Sequence, residues 1–142
     1  CPWGWIALVT GTSNPCISLY KPLQLGASLP SGGCSNKYSD ECYWWRAERL
    51  HRKLNLCYEY AHEYAEPLRA FEKNRIMPVV ERFTKGGDVR TEVENTLREA
   101  LQFEEEHRNR WIDRLGGMRC RSFTPHAFWV RRASTRAGLP SI

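Results

Sequence analysis

Trp5-Ile6-Ala7-Leu8-Val9-Thr10-Gly11-Thr12-Ser13-Asn14-Pro15-Cys16-Ile17-Ser18-Leu19-Tyr20-Lys21-Pro22 reads as strand, turn, strand. Trp5–Val9 is an unbroken apolar run, and a strand with one wet face would alternate, so this run predicts a strand covered on both faces. Thr10–Pro15 is dense in turn formers: Gly for positive φ, Asn for Asx turns, Pro to preset φ. Cys16–Tyr20 alternates, with Ile17 and Leu19 on one face and Cys16, Ser18 and Tyr20 on the other. Lys21-Pro22 should stop it, because proline cannot donate to a ladder. Two strands are marginal in water without further strands or a covering layer, and little else in the chain looks able to extend the sheet.

Outward from that ribbon, residues 23–40 read as a loop rich in Gly, Pro and Ser, long enough to be functional or mobile. A long helix should start near Ser39-Asp40, either of which can cap it. Ala47, Leu50, Leu54, Cys57, Ala61, Tyr64, Leu68 and Phe71 keep the spacing of one packed stripe, with Glu48 and Arg52 paired on the wet side. Pro67 and Pro78 should kink or split it, and Gly86-Gly87 should end it. A second helix is expected from Asp88, as N-cap, to Leu115. Val89, Val93, Leu97, Ala100, His107 and Trp111 form its buried stripe, and Glu94–Arg98, Glu104–Arg108 and Glu106–Arg110 are i,i+4 pairs. The short link predicts an antiparallel helical hairpin over 41–117, followed by a loop-like tail, 118–142, in which Ala127–Val130 starts a short strand or helix. The fold class is therefore α+β: a strand-turn-strand over 1–22, a loop over 23–40, the helical hairpin and the tail, together an incomplete single domain.

Composition bounds the function. The 142 residues are 42% hydrophobic and 26% charged, in the range of globular domains, and no run reaches the ~20 apolar residues of a membrane span. The net charge of +5 comes from 21 basic and 16 acidic residues. Arg119, Arg121, Arg131, Arg132 and Arg136 lie in the last 27 residues, which hold no acid, so the remainder is balanced. Such a segment suits an anionic surface, or an acidic patch of its own fold or of a partner; nucleic acid is disfavoured because no binding motif accompanies the charge. Six cysteines show no C-x-x-C zinc spacing. Cys16 and Cys57, at apolar positions, read as buried free thiols, and a reduced, cytoplasmic protein is the expectation, with secretion behind a removed signal as the alternative. Cys34 and Cys42, flanking a loop, are the one pair expected to bond if any does.

Three features are candidates for chemistry. Cys1 has the form of an N-terminal nucleophile, whose thiol attacks while its own α-amine acts as base, although Pro2 and Gly4 make a poor start for the strand that presents one. Glu48/His51, Glu59/His62 and Glu104/His107 repeat the Glu-x-x-His pattern of carboxylate-bridged di-metal bundles, and the hairpin would bring His62 and His107 to similar height. The Glu residues that two further helices would supply are missing, so no metal or other cofactor is assigned and a di-metal helical protein stands as a lesser alternative. Trp44, Trp45, Tyr58, Tyr60 and Tyr64 are either pocket lining or core. There is no Gly-rich phosphate loop, G-x-S-x-G or H-E-x-x-H motif.

Val9-Thr10-Gly11-Thr12-Ser13-Asn14-Pro15-Cys16-Ile17-Ser18-Leu19-Tyr20-Lys21-Pro22 resembles the family of dipeptidases and secernins, which are N-terminal-nucleophile cysteine hydrolases. That family carries a Thr-Gly-Thr-x-x-Pro turn leading into a Ser-(Ile/Val)-(Phe/Tyr)-Lys-Pro strand, then a loop and a helix with a Trp- or His-rich start. Trp44-Trp45-Arg46-Ala47-Glu48-Arg49-Leu50-His51-Arg52 is similar to that start, and Leu50–Leu115 to the helical region that follows. The resemblance implies an αββα sandwich of which this chain is the C-terminal part. It also implies an amide or peptide hydrolase whose catalytic cysteine lies on another strand, ahead of a Gly-Lys-Asn or Gly-Arg-Asn turn absent here. Cys1 precedes the Thr-Gly-Thr turn directly, where the family has an internal strand. Thr10, Gly11 and Thr12 are then candidate substrate-binding or supporting groups, and the implied partner is the N-terminal counterpart of the fold or other copies of the chain, with a small peptide as substrate. The alternative is a non-catalytic structural or interaction subunit of the same architecture.

Overall fold

The computed structural model describes residues 4–10, 14–24, 34–118 and 125–140. Strands β1 (Ile6–Val9) and β2 (Lys21–Gln24) precede helices α1 (Tyr43–Leu56), α2 (Ala61–Phe71), α3 (Met77–Thr84), α4 (Arg90–Gly116) and α5 (Pro125–Arg136). Single turns of 3-10 helix cover Pro15–Ile17 and Tyr58–Tyr60, and a π-helical turn covers Glu72–Ile76. The class is α+β, with helix dominant.

β1 and β2 pair antiparallel, with Ile6 opposite Gln24 and Val9 opposite Lys21. The second strand thus lies beyond Cys16–Tyr20, the stretch whose alternation predicts it. Helix side chains take the backbone groups a ladder would need there. The Tyr20 N–H donates to Glu72 Oε1 at 2.8 Å and the Leu19 N–H to Glu104 Oε1 at 3.4 Å. Arg69 Nη2 donates to the carbonyls of Ser18 at 2.5 Å and Cys16 at 3.3 Å. Pro22 falls inside β2, opposite Leu8. Each strand of a two-stranded ribbon is an edge, and an edge tolerates proline. The expectation that β1 is covered on both faces is also corrected: Trp5 is 73% and Leu8 43% exposed. Ile6 packs inward, against Val79, Val89, Val93 and Phe83.

The helical stripe of the sequence is the core. Leu50, Leu54, Cys57, Ala61, Tyr64 and Leu68 are all buried in one cluster with Ala100, Trp111 and Leu115, and Phe71 packs on its rim. The long first helix is interrupted, but not at Pro67, which lies within α2. Its first break is the 3-10 turn Tyr58–Tyr60, and its second is the π turn, where the Met77 N–H reaches back to the Glu72 carbonyl. Pro78 then occupies the first turn of α3, where its missing N–H leaves no intrahelical bond broken. Gly86 (φ +84°) and Gly87, whose N–H bonds the Arg82 carbonyl at 3.0 Å, close α3 in Schellman fashion. The N-cap of α4 is Val89, with no side-chain cap bond, rather than Asp88, which sits one residue earlier with its Oδ1 accepting the Arg90 N–H at 3.2 Å. α1 starts after Cys42 rather than at Ser39-Asp40.

Cross-chain contacts give the direction of α4 against the α2–α3 rod: Glu63 with Arg114, Phe71 with Phe103, Arg75 with Glu99 and Arg82 with Glu92. The partners descend as the rod ascends, so the two run antiparallel. The tail is not a loop, since residues 125–136 form α5, which packs on α1.

The cysteine expectations also change. Cys34 and Cys42 are bonded, with Cα atoms 5.5 Å apart. Cys57 is disulfide-bonded as well, its partner lying outside the described residues, and Cys16 is a free but exposed thiol. Neither Cys16 nor Cys57 is the buried free thiol that their apolar settings predict.

Leu54 is fully buried within the main cluster. Leu54→Ala should therefore cost about 2–5 kcal/mol, read as a lowered urea midpoint with an unchanged slope.

Candidate functional site

The phase Ala100, Glu104, His107, Trp111, Leu115 runs down one face of α4, and all five are buried. A carboxylate on a buried stripe must find partners, because an unpaired charge there is costly. Glu104 Oε2 takes the Lys21 ammonium at 2.6 Å and the Tyr43 hydroxyl, while Oε1 accepts the Leu19 N–H. Lys21 Nζ also donates to the Leu19 carbonyl at 2.9 Å. One α4 side chain thereby joins the start of β2, the extended strand approach and the first turn of α1.

Arg108, one turn on, lies over the Tyr43 ring and pairs with Glu105. Its Nε and Nη1, like His51 Nδ1, are buried without a hydrogen-bond partner. Glu104, Arg108 and His51 are each only 1% exposed. Burial holds the Lys21 ammonium below its ordinary pKa, against the pull of Glu104. The Tyr43 hydroxyl is pushed well up, by burial first and then by Glu104. Burial drives His51 down to about 4, Glu104 and Glu48 opposing and Arg108 and Lys21 assisting. His107 is also lowered by burial. Its Nε2 lies 2.9 Å from the Tyr64 carbonyl, which can only accept, so that nitrogen carries the proton.

This arrangement holds rather than turns over. Lys21, Glu104, Arg108 and His51 are buried, the carboxylate is engaged by three donors, and the histidine is neutral. The expected i,i+4 pair Glu104–Arg108 is not formed: both residues are buried, and each takes another partner. Glu48 and Arg52 do pair, at 2.7 Å, with Glu48 buried rather than wet.

Of the residues singled out by the sequence, Thr10 is half-buried at the end of β1. Cys1, Gly11 and Thr12 lie outside the described residues. Glu59 and His62 are exposed, and it is Tyr64 that stacks on His107, at 4.9 Å. His62 and His107 therefore do not meet, and among the described residues no cluster is suited to a metal ion. Nor do the five aromatics share a pocket: Tyr58 points to solvent, Tyr64 is core, and Trp45 packs beneath residues 34–37, its Nε1 donating to the Ser35 carbonyl at 2.9 Å. Lys21, Tyr43 and Arg108 were not anticipated. The signal available was the phase of α4, which puts Glu104 between Ala100 and His107 on the buried side.

Comparison of the chain with protein-family models, with curated proteins and with solved structures finds no match.

Two outcomes test the cluster. Glu104→Gln strands the Lys21 charge and should cost about 3–5 kcal/mol, whereas Lys21→Met with Glu104→Leu together should recover most of the loss. Folded His51 takes up its proton near pH 4, against 6.5 for the ordinary imidazole. The unfolded chain thus binds more protons between those values, and stability should fall as pH drops through that window, by up to about 3 kcal/mol. Denaturation of wild type and His51→Phe across this range should show a slope that the variant lacks.

Proposed function

We propose that this chain is the C-terminal part of a dipeptidase-like N-terminal-nucleophile amide hydrolase. It contributes sheet and covering helices to an αββα sandwich whose remaining strands, and whose nucleophile, come from other polypeptide. The observation that carries this reading is β1, an apolar strand with Trp5 and Leu8 turned to solvent and, among the described residues, a single partner strand. An exposed apolar edge is a template for another strand. The Thr10–Pro22 motif supplies the reaction class.

In the assembled enzyme the cysteine thiol would lose its proton to its own α-amine, and the thiolate would attack the peptide carbonyl carbon. The proton would return to the departing amine, and water would release the acyl group. Thr10–Thr12 would stand near the substrate. The Glu104 cluster would hold the strand approach rigid beneath it. The disulfides fit an oxidising compartment, or a hyperthermophile's cytoplasm, better than an ordinary reducing cytoplasm.

The test is to combine the chain with the adjoining or neighbouring-gene polypeptide that carries a processed N-terminal cysteine, and to assay dipeptide hydrolysis. Activity should require both parts and be abolished by iodoacetamide. Hydrolysis by the 142-residue chain alone overturns the assignment of the nucleophile. A stable but inactive complex favours a non-catalytic subunit instead.

A further inference from the structure

We propose that Cys34–Cys42 is a redox-active disulfide: a dithiol of the thiol–disulfide oxidoreductase class opens it, and residues 35–41 then leave Trp45 and the end of α5.

The two sulfurs stand in unlike settings. Cys34 is exposed, whereas Cys42 is 1% exposed and is the N-cap of α1. Attack therefore falls on Cys34 Sγ, the sulfur a second molecule can reach, and Cys42 is the leaving group. No side chain caps α1, so the N–H groups of its first turn and the positive end of the helix dipole are there to stabilise a Cys42 thiolate. A thiol at a helix N-terminus is more acidic than usual, and a more acidic thiol leaves faster. The reductant's first thiolate bonds to Cys34 Sγ as the Cys34–Cys42 bond breaks. Its second thiol, giving its proton to water, then attacks the mixed disulfide, and Cys34 departs as a thiolate that takes up a proton. Two electrons pass to the protein, and the dithiol leaves as a disulfide.

Little besides the covalent bond holds this segment. Residues 34–37 are exposed, and the ties to the rest of the fold run through the segment's backbone. Trp45 Nε1 donates to the Ser35 carbonyl at 2.9 Å, the Tyr38 N–H to the Ala137 carbonyl at 2.8 Å, and Arg46 Nη1 to the Asp40 carbonyl at 2.7 Å. Exposed backbone hydrogen bonds with little buried surface behind them are the first to open. Reduction would thus uncover Trp45, which is 5% exposed, and take from α5 its bond to Tyr38.

The test poises the full chain in graded mixtures of reduced and oxidised dithiothreitol, maps free thiols by alkylation and peptide mass, and reads amide hydrogen exchange on the same samples. Cys34 and Cys42 should become free together while the circular dichroism of the helices is kept. Exchange over 35–41 should then rise at least about tenfold, since the constraint of a disulfide across a short loop is worth more than that factor. Exchange in α4 around Ala100 should not change. In Cys34→Ser, exchange over 35–41 should be fast without reductant, and alkylation of Cys42 should show a pH midpoint below the ordinary thiol value of about 8.5. The proposal is overturned if the bond survives until the helices melt, if both thiols appear with residues 35–41 still protected, or if the Cys42 midpoint lies at or above the ordinary value. Should Cys34→Ser not fold, the titration of the wild-type chain decides alone.

Discussion

A single carboxylate, Glu104, decides where this chain's strands and helices meet. It sits at the middle of α4 with almost no access to water, and its two oxygens receive an ammonium, a phenol and a peptide N–H from two separate stretches of the chain. Taking such a pair of charges out of water is costly, and the gain from pairing them is roughly matched by that cost. The benefit is positional, because moving Lys21 out of register would strand two buried charges at once. β2 therefore starts at Lys21, and the residues before it run extended along α2 and α4 instead of joining β1.

That displacement marks the limit of what could be read from the residues alone. The apolar stripe from Ala47 to Leu68 was fully legible, since every member obeys helical periodicity and every member is buried. The Gly86-Gly87 stop was legible because its cause is local. The strand boundaries were not, because Cys16–Tyr20 alternates like a strand and was outcompeted by Arg69, Glu72 and Glu104, which lie about fifty to eighty-five positions away. Lys21-Pro22 looked like a terminator on a rule that holds for central strands, and this ribbon has none. The polar members of the site were hidden by a different ambiguity: Glu104 and Arg108 have the spacing of a surface ion pair, and only the phase of their apolar neighbours shows that they face inward.

The molecule that results has two unequal sides. Toward α2 and α4 the ribbon is tied down by charged side chains and by Ile6 against the valines of α3 and α4. Away from them, Trp5 and Leu8 meet solvent. The buried cluster fixes where the strand approach lies against α4.

The π turn between α2 and α3 has a consequence for the seam of the helical rod. Up to Phe71 the greasy positions fall at intervals of three and four; the next, Ile76, comes five later, and Val79, Val80 and Phe83 follow in the new phase. One surplus residue is thus absorbed by widening a single turn, so that both halves of the rod show their oily side to α4. Were the same residues wound as an uninterrupted α-helix, without that wide turn, the far half would be rotated by about a hundred degrees. The valines would then swing away from α4 and toward the water.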